Sequence, residues 1–381
     1  MTARTAAIRG ARARTDALFS LLDPAALYDR PVPERHRLIF YLGHVEAFDW
    51  NLFSQRALSK SAFHPSFDKL FAFGIDPEPG RAPADQPSDW PRENEVREYA
   101  ARVRRELDAE LDRLPEQLLH VAVEHRLMHA ETLAYLFHNL PYEKKRGPVP
   151  IPGEARPVAN DFVEIPEGSV TLGRPRNNGF GWDNEFDVHT VEVPAFRISR
   201  FKITNGEYLD YVRSGAPGPH FWVRRGDAWN LSAMFGEIPL PLDWPVYVTH
   251  SQASAYARFR GAELPTEAQF HRAAVGASPV NAAFEHWDPI SAAAGPPSAL
   301  GVSQLIGNGW EWTSTVFAPF AGFEPFPFYP GYSADFFDGR HFVMKGASPR
   351  TAECFLRSSF RNWFRPDYPY VYAGFRLVQN R

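Results

Sequence analysis

The 381-residue chain has a single cysteine, Cys354, so it can build neither an internal disulfide nor a paired-thiolate metal or redox centre. Any metal it holds must rest on histidines and carboxylates. No apolar run is long enough to span a bilayer, and the chain does not open with a charged-then-apolar leader, so no membrane partner is expected. With so little cysteine, the expected setting is a reducing cytoplasm. Excess positive charge is also lacking: 41 Lys plus Arg stand against 45 Asp plus Glu, for a net charge of -4. With both signs interspersed there is no basic stripe, and the Arg-rich first fifteen residues read as a helix start, so no nucleic-acid partner is expected. No internal repeat and no low-complexity tract appears.

Proline and aromatics are plentiful, with 35 Pro and 14% aromatic residues, which implies much ordered loop packed by rings. The length exceeds a usual single domain, so two domains are expected. From residue 5 to about 140, apolar residues recur at three-to-four spacing, as in Ala17, Leu18, Leu21 and Leu22. Helices are predicted over about 5–22, 33–59, 93–113 and 115–140, started by Pro33-Glu34 and Pro115-Glu116 and interrupted by a Pro-rich stretch, 76–91. This suits a four-helix bundle over 1–140. Residues 141–160, rich in Pro and charge, read as a linker. From 161 to 381 the texture changes to short β-type runs (162–165, 169–172, 189–193, 196–198) between long loops, with helices near 204–213, 250–260 and 266–274. The fold class expected is α+β.

In the fourth helix, His125 and His129 stand four residues apart and so share a face. The spacing alone is weak, because interior histidines bonded to backbone give the same pattern. A third histidine, His44, lies within the apolar run YLGHVEAFDW of the second helix. Three imidazoles from two helices suit iron, zinc or copper and leave coordination positions open. Glu131, two residues past His129, lies on another face and reads as an acceptor behind the ligands. For Glu46 and Asp49, beside His44, an interhelix salt bridge or plain solvation is the favoured reading.

The second half resembles the formylglycine-generating-enzyme fold, related to C-type-lectin-like domains. The motifs are Phe162-Val-Glu-Ile-Pro-Glu-Gly168, Lys202-Ile-Thr-Asn-Gly-Glu-Tyr208, Leu264-Pro-Thr-Glu-Ala268, Gly307-Asn-Gly-Trp-Glu-Trp-Thr313 and Ala373-Gly-Phe-Arg376. The copper enzyme of that name needs paired cysteines, which are absent here. Joined to a DinB-like bundle with HxxxHxE, the whole resembles the ergothioneine-type sulfoxide synthases, which use Fe(2+) and O2 to attach a thiol's sulfur to a histidine betaine. The resemblance implies iron ligands at His44, His125 and His129. Ser359-Phe-Arg-Asn-Trp363 matches a family stretch whose Asn and Trp help hold the trimethylammonium of hercynine, implying that role for Asn362 and Trp363. The chemistry fits, since a quaternary ammonium cannot be hydrogen-bonded and is held by aromatic faces and amide dipoles.

Three departures from the family pattern bear on the reaction. Met128 stands where a betaine-contacting glutamine usually precedes the second histidine, and Phe320 where a tyrosine donates a proton. A phenyl ring cannot donate. Either another acid substitutes, with Tyr41, Tyr329, Tyr332, Tyr370 and Tyr372 as candidates, or the outcome differs, as in a selenoneine-type synthase or a thiol dioxygenase. The third departure is at Phe364 and Tyr368, uncharged where the branch using γ-glutamylcysteine carries an Asp and an Arg. Cysteine is therefore expected as donor, its carboxylate met by Arg361, Arg365, Arg376 or Arg340. A reading of another class is a binding module with a structural zinc. Oligomeric state is not legible.

Overall fold

The computed structural model describes residues 3–72, 83–153 and 158–380. The chain forms two compact units, Met1–Pro148 and Val149–Arg381. Among the described residues no helix is long and apolar enough to cross a membrane.

The first unit is helical: α1 (Ala3–Phe19), α2 (Leu38–Phe53), α3 (Pro65–Leu70), α4 (Glu93–Asp108) and α5 (Glu116–His138). Helix α5 packs on α1 and α2, and α2 packs on α4. Helix α2 begins at Leu38 rather than near residue 33, because the chain before it turns. The Leu38 amide donates to Asp29, and Arg37 donates to the Tyr28 carbonyl. The helix runs on into a π turn, Ser54–Leu58, closed by Ser59 at φ 50°. Helix α3 was not anticipated. It begins at Pro65, a favoured first helical position, and His64 accepts the Phe67 amide as its cap. The predicted third helix is shorter, ending at Asp108 with a separate 3-10 turn at Leu111–Arg113. Of the Pro-rich stretch 76–91, residues 76–82 lie outside the described residues, and Pro87–Asp89 form a 3-10 turn. The start of the Pro-rich 141–160 segment is tied to the bundle: Asp23 donates to Lys144, and Arg146 to Leu21.

Among the described residues the second unit carries four small sheets, so the fold is α+β as expected. The sheet β1–β4–β12 joins Phe162–Ile165, Phe196–Ser199 and Val378–Asn380, while Gly168–Leu172 (β2) pairs with His189–Val193 (β3). A meander joins Trp222–Arg225 (β5), Ala228–Ala233 (β6) and Gly236–Pro239 (β7). The sheet β10–β9–β8–β11 contains Asn362–Phe364, Phe342–Ala347, Gly309–Val316 and Ala373–Gly374. Helices α6 (Asn205–Arg213), α7 (His250–Phe259) and α8 (Glu267–Ala273) each open on a threonine capping box. One core gathers Ile165, Val170, Phe196, Ile198, Phe270, Leu305 and Val378, with Phe320 packed against it. Gly307 approaches β8 at φ 97°, where a Cβ would meet the Val280 carbonyl at 2.0 Å, so only glycine fits.

Candidate functional site

Helical periodicity brings three imidazoles to one point in the first unit. His44 projects from the middle of α2, and His125 and His129 project one turn apart from α5. All three are buried, and their ligand atoms lie within 4.8 Å of one another. His129 Nε2 is 3.1 Å from His44 Nε2 and 3.2 Å from His125 Nε2. Nitrogens held at about 2.1 Å and right angles around one ion lie about 3.0 Å apart, so these separations fit a shared metal. Burial lowers the His44 pKa to about 4, against a partial offset from its backbone hydrogen bond, and burial also lowers His125 and His129. The rings are therefore neutral near pH 7, the form that ligates. His44 Nδ1 donates to the Phe71 carbonyl at 2.7 Å, which leaves its Nε2 lone pair toward the other two.

Rings enclose this centre. Phe48 stacks on His125 at 3.4 Å and Phe40 on His44 at 4.8 Å, while Tyr41 lies 5.9 Å from His129 and is fully buried. Glu46 and Asp49 form the interhelix salt bridge, both to Arg126, at 2.8 and 2.7 Å. Burial pushes the Glu46 carboxyl up, but Arg126 and Arg104 outweigh it and hold it at about 2. The pairing clamps α2 to α5 one residue from His125, so it fixes how the two sets of ligands meet. Glu131 is half-buried on α5 and outside the histidine cluster, and Met128 is half-buried beside His129.

In the second unit, Trp363 sits half-buried on β10 in a box of rings. It stacks on Phe317 at 4.2 Å and meets Tyr332 edge-on at 5.5 Å and Phe336 at 5.6 Å. Asn362, also half-buried, accepts the Trp363 amide. Tyr332 stacks on Trp182 at 3.9 Å, and Tyr329 lies 5.6 Å from Tyr332. The run Trp182–Glu185 braces this box. Asp183 and Asn184 bond Ser333, next to Tyr332, while Glu185 accepts from Arg357 and Ser359, just before Trp363.

The four candidate arginines differ sharply. Arg361 is buried against Glu267 at 3.1 Å with its guanidinium over Phe320, 4.1 Å away. Arg376 is buried against Glu311 at 2.8 Å. Arg365 and Arg340 are exposed. Phe364 and Tyr368 stack on each other at 5.1 Å, with Tyr370 edge-on to Tyr368; Tyr372 is buried beside Tyr247.

Comparison with known proteins agrees with this division. Residues 7–139 match the DinB superfamily, and residues 150–283 and 277–381 match the sulfatase-modifying factor enzyme 1-like domain. The chain is 31% identical to the hercynine oxygenase of Mycolicibacterium smegmatis, with 97% of this chain and 96% of that protein covered. The chain belongs to the ergothioneine-type sulfoxide synthase family. Within this family it is 29% identical to Ergothioneine biosynthesis protein 1 of Schizosaccharomyces pombe over 94% of its own length and 54% of that protein. It thus spans about half the length of the fungal relatives it matches. The solved structure of PvdO from Pseudomonas aeruginosa aligns at a TM-score of 0.43 and 20% identity, covering 58% of this chain and 94% of that one.

Phe71, Phe48 and Glu185 are among the contributors to these sites that sequence reasoning missed. Phe71 acts through its carbonyl, which no side-chain pattern betrays. Phe48 stands four residues after His44, on the same face, and that spacing was a usable signal. Glu185 lies in a Trp-Asp-Asn-Glu run flanked by loop residues, where a fully buried carboxylate has no signature beyond the run itself.

Proposed function

We propose that the chain is a non-haem iron(II), O2-dependent sulfoxide synthase that joins a thiol to hercynine. The net change is thiol plus hercynine plus O2 giving sulfoxide plus water: one C–H and one S–H bond are lost, and one C–S and one S–O bond are formed. The observation that carries the reading is the convergence of three neutral, buried imidazole nitrogens in a chain that aligns end to end with a hercynine oxygenase. Iron(II) held by these three histidines would supply the redox chemistry.

The protein's own groups supply orientation and dryness. His44, His125 and His129 are the proposed ligands, and the rings of Phe40 and Phe48 exclude water around them. Trp363 offers its face, and Asn362 its amide, to the trimethylammonium. Because Arg361 and Arg376 are already paired with buried carboxylates, the exposed Arg365 beside Phe364 is the proposed partner for the donor's carboxylate. The uncharged Phe364–Tyr368 stack favours cysteine over γ-glutamylcysteine. Of the candidate acids, Tyr332 is favoured because it meets Trp363 directly.

One observation supports a second outcome on the same scaffold. Phe320 packs on the core and on Arg361, so no proton donor stands at that position, as thiol oxygenation or a selenium donor would permit.

The test is anaerobic purification followed by metal analysis and O2 uptake with hercynine plus cysteine. Bound iron, uptake that needs both substrates and a sulfoxide by mass spectrometry are expected. Zinc with no uptake would leave a binding module. Cysteine sulfinate formed without hercynine would leave the thiol dioxygenase.

A further inference from the structure

Resting on the metal reading of the histidine cluster, we propose that Gly43 and Phe71 form a positioning pair that fixes the tautomer of His44 and so keeps its Nε2 free to ligate. A carbonyl oxygen carries no proton, so the 2.7 Å contact between Phe71 O and His44 Nδ1 requires the hydrogen on Nδ1. A neutral imidazole has only one such hydrogen. Its Nε2 is then bare, and this is the atom that faces His129 at 3.1 Å.

The place of that carbonyl is set by a close approach of the chain to α2. Phe71 follows α3, and its ring lies flat over Gly43, where a Cβ would come within 2.6 Å of three ring atoms. Glycine in a helix interior costs about 1 kcal/mol relative to alanine, so its presence in the middle of α2 calls for a reason, and the ring supplies one. The ring cannot slide aside cheaply. It is fully buried and boxed by Phe40, Phe67, Trp90 and Tyr99, with centroids at 6.4, 5.5, 6.4 and 6.1 Å. A methyl group at residue 43 therefore pushes Phe71 as a whole, and its carbonyl with it, away from His44.

The test uses the full chain labelled with 15N-histidine, metal-free, and long-range nitrogen–proton correlation to read each tautomer. Wild type is expected to show His44 protonated on Nδ1 alone. Gly43→Ala should show a mixture of tautomers and a Co(II) affinity about 10- to 100-fold weaker by anaerobic titration. Gly43→Ala combined with Phe71→Ala, which empties the space the methyl group needs and leaves the backbone carbonyl, should regain most of both. Finding wild-type His44 protonated on Nε2 overturns the proposal even if the variants fail to fold. So does a folded Gly43→Ala with unchanged His44 signals and Co(II) affinity. Co(II) binding by His129→Ala at wild-type strength would instead remove the metal reading, and the tautomer measurement separates the two failures.

Discussion

The histidine cluster of the first unit and the buried cations of the second meet burial in opposite ways. In the bundle, three imidazoles point their nitrogens at one another, beside a charge-paired clamp of Arg126 with Glu46 and Asp49. In the second unit several buried cations share carboxylates: Lys202 and Arg376 share Glu311, and Arg361 and Lys345 share Glu267, while the half-buried Arg357 takes Glu185. Ionised groups leave water only at a cost that pairing must offset, so matched pairs signal architecture. Three converging neutral donor nitrogens signal a place for a cation. The same burial that pairs Arg361 with Glu267 keeps His129 neutral.

The sharpest way to break this contrast is to remove one member of each set. His44→Ala, His125→Ala and His129→Ala should each abolish iron binding and turnover, with the helical circular dichroism kept. Full iron occupancy in two of the three would dissolve the assignment. Next in size come the pairs. Arg126→Ala takes the paired guanidinium from the buried Asp49 and leaves Glu46 to Arg104, and should cost about 3–5 kcal/mol in urea unfolding; Arg361→Ala leaves Glu267 to Lys345 and should cost about 1.5–3 kcal/mol. Exposed Arg365→Ala should stay within about 0.5 kcal/mol. If Arg361→Ala were as mild as Arg365→Ala, the matched-pair account of the second unit would fail.

This contrast also explains what could be read from the residues alone. His44, His125 and His129 were legible because an α-helix has one period, which converts spacing into direction without knowledge of the rest of the fold. The capped helices α6 to α8 and strands β1 to β4 were legible for the same local reason. The short α3 was hidden because six residues carry too little periodicity. The fates of the arginines were not legible at all: Arg361 and Arg365 are four residues apart in one short segment, yet one is buried on Glu267 and the other exposed. Their difference depends on Glu267, 94 positions from Arg361 in the chain. Phe71 escaped for a related reason, since its contribution is a backbone oxygen.

A pH titration sharpens the comparison from the side of the second unit. Burial lowers His250 to about 4 and His271 to about 3, from an ordinary value of 6.5. Both are neutral when folded, whereas the unfolded chain takes up protons as pH falls through 6.5. The unfolded state thus binds more protons between pH 6.5 and about 4, and stability falls as pH drops across that window. For His250 alone the loss is about 3 kcal/mol at its full extent. Tryptophan fluorescence during urea unfolding at pH 7.5 and 4.5 should show it. His250→Phe, which keeps a ring against Phe342, should flatten part of the slope. An unchanged slope in that variant would mean that His250 titrates normally.

The smallest effect is expected where the second unit is proposed to touch substrate. Trp363 is half-buried, with one face covered by Phe317 and its edge met by Tyr332, so its remaining surface is what a trimethylammonium could use. A cation held over such a ring gains about 0.5–2 kcal/mol, which corresponds to a change of about 2- to 30-fold. Trp363→Ala should therefore raise the KM for hercynine by that factor and leave the KM for the thiol nearly unchanged. Trp363→Phe should recover part of the loss, because a smaller ring keeps some of the negative face. The comparison of two substrates is what makes this a test of contact: general loosening of the ring box would weaken both, and equal shifts in the two KM values would assign Trp363 to packing alone. Asp183→Asn supplies the control, since it loosens Ser333 and Tyr332 without touching Trp363 and should shift hercynine less than Trp363→Ala does.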